Sequence, residues 1–244
     1  MNRYDFINAY TSSGVDTYAN RVYLLDCFDL VREHVTCAHC ESDAYYMSDY
    51  ILRNQNTDGS IIEFGCYSGG MSCKLSKVCE LVGKKYIIFD TFSGLPYTEV
   101  YETYREEDAN LGNFQKGMFS CDLESVKKNI EQYGSINNCV FYEGLIEDRL
   151  KELKENPLTI FIDVDLVDTA RFVIKNIWDR VIGDRIFTHE ACVKDYMERI
   201  LDRQWWLDEM KRFPPFVNGN LFEKYPNLPN TMCLAYLNKY QSLG

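Results

Sequence analysis

The segment 60–96 constrains this chain most. Ile61, Ile62 and Phe64 form a short apolar run that ends in Gly65, with Gly69 and Gly70 close behind. Leu75, Val78, Cys79 and Val82 then recur at helical spacing, and a second apolar run at 86–89 closes on Asp90. This order predicts a strand, a glycine loop, a helix and a second strand, the βαβ unit of nucleotide-binding proteins. Glycines let the backbone approach a ligand closely, and an acid closing the second strand can hold the two hydroxyls of a ribose. The spacing is G-x-x-x-G-G, not the G-x-G-x-x-G of dinucleotide enzymes, and Glu63 stands two residues before the first glycine. Both features favour S-adenosylmethionine over NAD.

The alternation of strand and helix continues to about residue 210. Further strands are expected at 139–142, 159–162 and 185–188, and a last one at 231–237. Helices are expected at 122–133, 146–153, 169–181 and 193–210, the last containing Trp205 and Trp206. Ahead of the first strand, 22–35 and 44–53 read as amphipathic helices of an N-terminal cap covering 1–58. The stretches 97–117 and 214–230 lack a sustained apolar period and read as loops; 97–117 follows the second strand and is expected to fold over the ligands as a lid. The fold class is therefore α/β: a mostly parallel Rossmann-like sheet with an antiparallel C-terminal strand and helices on both faces. With 244 residues and 46% hydrophobic content, one domain over 1–244 suffices.

Charge and composition exclude several classes. A net charge of -11 repels phosphate backbones and anionic lipid, so nucleic acid is not an expected partner. No apolar run approaches the roughly 20 residues needed to span a bilayer, so no membrane insertion is expected. The N-terminus lacks the apolar core of a signal peptide, and a cytoplasmic location follows as the expectation. The 10 cysteines are then read as reduced thiols. Cys37-Ala38-His39-Cys40 resembles half of a zinc site, but no second ligand pair stands at suitable spacing. It is read as a loop or helix end with buried thiols, near the cleft only because it precedes the first strand.

The strand ends carry the chemistry. They close at Glu63, Asp90, Glu143-Gly144, Asp163-Val164-Asp165 and His189-Glu190. Any one acid after a strand is ordinarily a helix cap. Together, at the carboxyl ends of a parallel sheet, these groups converge on one crevice. An acidic crevice suits a cationic sulfonium, and a divalent metal would offset the repulsion among the remaining carboxylates.

Glu-x-Gly-x-x-x-Gly-Gly-x-Ser at 63–72, Phe-Asp-Thr-Phe-Ser-Gly-Leu-Pro at 89–96, Glu143-Gly144 and Asp-Val-Asp-Leu at 163–166 together resemble the macrocin O-methyltransferase family. The resemblance covers roughly 55–195. It implies a class I methyltransferase sheet and an S-adenosylmethionine-dependent O-methyltransferase. The expected acceptor is a small molecule with a sugar hydroxyl, on a nucleotide-activated, polysaccharide or glycosylated natural-product sugar. A role in carbohydrate biosynthesis would follow, and a homo-oligomer is compatible with this reading.

Carried over by resemblance, Glu63, Gly65, Gly69, Gly70 and Ser72 cradle the methionine half of the cofactor, and Asp90 takes the ribose hydroxyls. Phe92, Ser93, Glu143, Gly144 and Ile146 lie near the ribose and adenine. Asp163 matches the first ligand of magnesium or another divalent metal, and His189 and Glu190 stand where the family has Asp-Asp. Imidazole in place of carboxylate weakens magnesium and favours softer metals. Without a metal, His189 or Asp163 is expected to take the acceptor's proton. Acceptor choice is expected in 97–117, around Tyr45 and Tyr46, and in 214–230, with Trp205 and Trp206 as a further candidate wall. The alternatives are a catalytically altered cofactor-binding protein and an NAD-dependent oxidoreductase.

Overall fold

A computed structural model describes residues 1–103, 112–191, 193–218 and 234–242. Three helices come first: α1 (Arg3–Asn8), α2 (Tyr18–His34) and α3 (Glu41–Arg53). The α/β part follows, with β1 (Ser60–Phe64), α4 (Gly70–Val82), β2 (Tyr86–Asp90), the short β3 (Glu99–Val100) and β4 (Asn113–Phe114), α5 (Leu123–Tyr133) and β5 (Cys139–Glu143). The chain continues through α6 (Ile146–Arg149), β6 (Pro157–Ile162), α7 (Val167–Ile177), β7 (Arg185–Thr188), α8 (Lys194–Ile200), α9 (Arg203–Trp205), β8 (Pro215–Asn218) and β9 (Ala235–Ser242).

Seven strands form one sheet in the order β5-β2-β1-β6-β7-β9-β8. β9 is antiparallel to both neighbours, and the other pairings are parallel, as the alternating pattern predicted. The chain leaves β1 for β2 on one side and later fills β6 on the other. Between β1 and β6 lies the switch point where open α/β sheets bind ligands.

Alternation along the strands divides the core between the faces. Ile62, Phe64, Ile87, Phe89, Ile160 and Ile162 pack with α6 to α8, whereas Ile61, Ile88, Leu158, Phe161 and Phe187 pack with α2 to α5. The N-terminal helices therefore cover one sheet face as part of its core. Inside this cap, the buried Arg21 guanidinium bonds Asp16 at 2.6 Å, Asp49 at 2.7 Å and the Phe6 carbonyl at 2.8 Å. With each donor side occupied, the buried charge fixes α1, α2 and α3 to one another.

Three sequence expectations change. The segment 193–210 is not one helix: Asp202 accepts from the Trp205 amide at 2.6 Å and starts a new turn, which continues as a π-helical turn at Trp206–Met210. Helices expected at 146–153 and 169–181 end in 3-10 turns, at Leu150–Glu152 and Trp178–Arg180. The stretch 97–117 contains the β3–β4 pair, and its flank is pinned where Tyr101 Oη donates to the Asp165 carbonyl at 3.1 Å and accepts from the Val167 amide at 3.0 Å. The rest of the expected lid, 104–111, lies outside the described residues. So do 219–230 of the second loop, whose start is strand β8, and 231–233 of the last expected strand. Among the described residues, no helix is long and apolar enough to cross a membrane.

Candidate active site

A cavity of about 840 Å³, counted with its open mouth, lies at the carboxyl ends of β1, β2 and β6. Its first wall is the loop after β1. Gly65 has φ of +86°, and a Cβ there would stand 1.9 Å from the Asp163 carbonyl oxygen, so only glycine lets this loop pass the end of β6. Farther along, a Cβ on Gly70 would stand 2.7 Å from Cys37 Cβ. Glycine at 70 thus admits the α2–α3 connection, which Ser68 Oγ also holds by donating to the Thr36 carbonyl.

Asp90 closes β2 and organises this loop. Its Oδ2 accepts from the amides of Cys66 at 2.6 Å and Tyr67 at 3.3 Å, and its Oδ1 from Phe92 at 2.7 Å. Burial raises its pKa, against the lowering effect of these donors. The carboxylate still lines the cavity, with part of its acceptor capacity free for a ligand. Glu63 lies beneath, fully buried, where it accepts from Ser72 Oγ; burial pushes its pKa up to about 8. Glu63 and Ser72 thus support the loop from inside.

The far end of the cavity holds a cluster that joins distant parts of the chain. His39 Nε2 stands 2.9 Å from Asp163 Oδ2, and His189 Nδ1 stands 3.1 Å from Asp163 Oδ1 and 2.9 Å from Glu190 Oε1. The two imidazole centroids are 4.4 Å apart. Burial works against charge on His39, but Asp163 outweighs it and holds the imidazole at about 10. The same opposition, with Asp163 and Glu190 prevailing, raises His189, while the two histidines overcome burial to keep Asp163 well below the ordinary carboxylate range. Both histidines are thus shifted toward the protonated ring, which opposes a free base at His189.

Strain marks the same region. Tyr67, Phe92, Asp165 and Glu190 are non-glycine residues with positive φ, all next to strand ends. Such conformations persist where the surroundings impose them, and they concentrate at functional sites.

Of the residues selected from sequence, Gly65, Gly70, Asp90, Ile146, Asp163 and His189 line the cavity. Gly69 caps α4 just outside it, and Phe92 is buried against Phe141, with ring centroids 6.4 Å apart. Glu190 is buried behind His189. Ser93 and Glu143 are exposed, and Gly144, after β5, does not line the cavity. Tyr45 is buried in the cap, stacked on Phe6 at 5.3 Å, and Tyr46 is exposed on the same helix. Trp206 is core, edge-on to Trp178 at 5.0 Å with its Nε1 donating to the Ile200 carbonyl. Neither tryptophan lines the cavity.

Sequence reading weighed the 37–40 cluster as half of a zinc site and set it aside, so it gave His39 no role, because nothing in the spacing of 37–40 shows which strand end it meets. It also assigned no role to Leu95, Pro96, Met118, Phe119 and Leu145, which give the cavity an apolar wall suited to a purine ring.

A family model described as Macrocin-O-methyltransferase (TylF) matches residues 47–198. Among solved structures, the O-methyltransferase NovP aligns at TM-score 0.56 and 14% identity, over 93% of this chain and 82% of that one. CalS11, described as calicheamicin methyltransferase, aligns at TM-score 0.53 and 15% identity, over 95% and 96%. An O-methyltransferase from Bacillus cereus in complex with SAH aligns at TM-score 0.51 and 10% identity, over 89% and 90%. At these identities the structural likeness speaks for the fold. No curated protein matches.

Proposed function

We infer, from the premise that this chain belongs to the macrocin-O-methyltransferase (TylF) family, that it is an S-adenosylmethionine-dependent O-methyltransferase acting on a sugar hydroxyl. The observation that carries the reading is a single cavity running from the glycine loop and Asp90 to the His39–Asp163–His189 cluster. One end suits the cofactor and the other has polar groups for an acceptor. The family description names macrocin and the printed name of CalS11 names calicheamicin, and a small-molecule acceptor is in keeping with both.

Methyl transfer to an alcohol is an in-line displacement at carbon, so hydroxyl, methyl and sulfur must be aligned. The loop 65–70 and Asp90 hold the methionine and ribose parts, and Ile146 with the apolar wall holds the adenine. This leaves the sulfonium methyl facing the cluster. As the hydroxyl attacks, its oxygen gives up electron density, its proton becomes more acidic, and the carbon–sulfur bond breaks to release S-adenosylhomocysteine. The proton passes to the Asp163 carboxylate or, once the His189 ring has surrendered its own, to His189.

The donors present also fit a divalent cation. His39, Asp163 and His189 converge, Asp163 and Glu190 do so with Asp165, and Glu190 Oε1 stands 2.9 Å from His189 Nδ1. Such an ion would lower the pKa of a hydroxyl that it coordinates.

Thermal unfolding with S-adenosylmethionine, S-adenosylhomocysteine or NAD tests the cofactor assignment. Stabilisation by the first two, about 2.7 kcal/mol at a hundredfold excess over Kd, and none by NAD is the expected pattern. The reverse pattern would return the chain to the oxidoreductase class.

A further inference from the structure

We propose that His39, from the connection between α2 and α3, completes a cation site with Asp163 and His189, and that its two imidazoles select a first-row transition ion such as Mn²⁺, Fe²⁺, Co²⁺ or Zn²⁺ over Mg²⁺. The role of this site in catalysis rests on the proposed methyl transfer; its existence does not.

Convergence of the donors is the first argument. One ligand atom from each of His39, Asp163 and His189 lies within 4.8 Å of the others. All three residues line the cavity, so an ion held here keeps an open side toward an acceptor. A second group, Asp163, Asp165 and Glu190, adjoins it and supplies further carboxylate oxygen.

Separation and burial add a second argument. The His39 side chain is only 7% exposed, and its Nε2 stands 2.9 Å from Asp163 Oδ2. His189 Nδ1 stands 3.1 Å from Asp163 Oδ1 and 2.9 Å from Glu190 Oε1. Nitrogens and carboxylate oxygens at these separations can share a cation that takes the place of the ring protons.

The remaining ring nitrogens face groups that can orient them. His39 Nδ1 is 3.6 Å from Cys37 Sγ, and His189 Nε2 is 3.9 Å from Asp43 Oδ2. Histidine ligands characteristically present the second nitrogen to such a group, which fixes tautomer and ring angle. Both partners come from the N-terminal cap, as does His39, and the cap approaches the strand ends at Gly70.

The ligand types decide the metal class. Magnesium prefers an oxygen octahedron and retains water, whereas imidazole suits Mn, Fe, Co and Zn. Two buried imidazoles on one carboxylate therefore favour the second class.

The test uses the full chain after removal of metal by chelator. Calorimetric titration with CoCl₂ and MgCl₂ measures affinity, visible absorption of the cobalt form reports nitrogen ligation, and S-adenosylhomocysteine binding is measured in parallel. Co²⁺ is expected to bind at least about 100-fold more tightly than Mg²⁺. His39→Ala should weaken Co²⁺ by at least about 10-fold and change the absorption bands, with S-adenosylhomocysteine affinity retained as proof of an intact cavity. Should that variant fail to fold, His39→Gln serves, and the Co²⁺ to Mg²⁺ ratio of the parent stands without any variant. Equal or tighter Mg²⁺ binding, or Co²⁺ affinity unchanged without His39, would overturn the proposal and leave a cluster of ion pairs. Cobalt binding as expected with no S-adenosylhomocysteine binding would uphold the site and overturn the cofactor reading instead.

Discussion

His39 Nε2 lies 2.9 Å from Asp163 Oδ2, so the α2–α3 connection of the N-terminal cap reaches into the cavity made by the sheet. Gly65 and Gly70 make that meeting possible, one beside Asp163 and the other beside Cys37. The glycine loop thus does two jobs, approaching a cofactor and admitting the cap.

Gly65→Ala should destabilise the protein by more than about 2 kcal/mol, since the new Cβ meets a backbone carbonyl and φ is positive. Gly83 has φ of +69° at the end of α4 but nothing within 4 Å of a Cβ, so Gly83→Ala should cost only the left-handed penalty of about 1 kcal/mol. Urea unfolding of the two variants compares crowding with backbone strain directly; equal losses would refute the close-approach argument.

Asp90→Ala should weaken S-adenosylhomocysteine roughly ten- to hundredfold, the worth of hydrogen bonds to a charged acceptor. Part of that loss comes through the loop, because three amides lose their common acceptor. Calorimetry that finds the parent affinity in a folded variant would remove Asp90 from the cofactor site.

Glu63 predicts a pH dependence. Its folded value of about 8 lies above the ordinary 4.5, so between these the folded protein keeps a proton that the unfolded chain has released. This contribution is fully present below pH 4.5 and is lost as pH rises through about 8. Glu63→Gln should flatten that decline, by no more than about 5 kcal/mol across the window. Denaturant midpoints of parent and variant from pH 5 to 9 would show it, and parallel curves would contradict it.

The two tryptophans should separate cleanly. Trp206→Ala removes a buried ring and is expected to cost about 3 to 5 kcal/mol, whereas Trp205→Ala, on the partly exposed neighbour, should cost much less. Neither should change acceptor preference, because neither ring lines the cavity. A shift in acceptor preference for Trp205→Ala without loss of stability would restore the wall expected from sequence.

Much of the fold was legible because its signals are local. Apolar runs such as 61–64 and 86–89 mark buried parallel strands, and glycines and acids mark where they end. Asp163 and His189 could be grouped from sequence because topology brings all parallel strand ends to one edge. His39 could not, since it lies on a connection whose position depends on packing of the cap against Gly70. The broken helix at 193–210 was hidden for a different reason: Asp202 reads equally well as a helical surface residue and as the cap that it is.

The central claim is methyl transfer to a sugar hydroxyl, and label tracing measures it most directly. S-adenosylmethionine carrying an isotopic methyl group is incubated with nucleotide-activated sugars, oligosaccharides and glycosylated small molecules, with Co²⁺ or Mg²⁺ present or withheld. The account predicts S-adenosylhomocysteine and a singly methylated sugar in equal amounts, with the label on a sugar oxygen. Bound cofactor with no label on any sugar class, or label found only on a non-sugar acceptor, would contradict it.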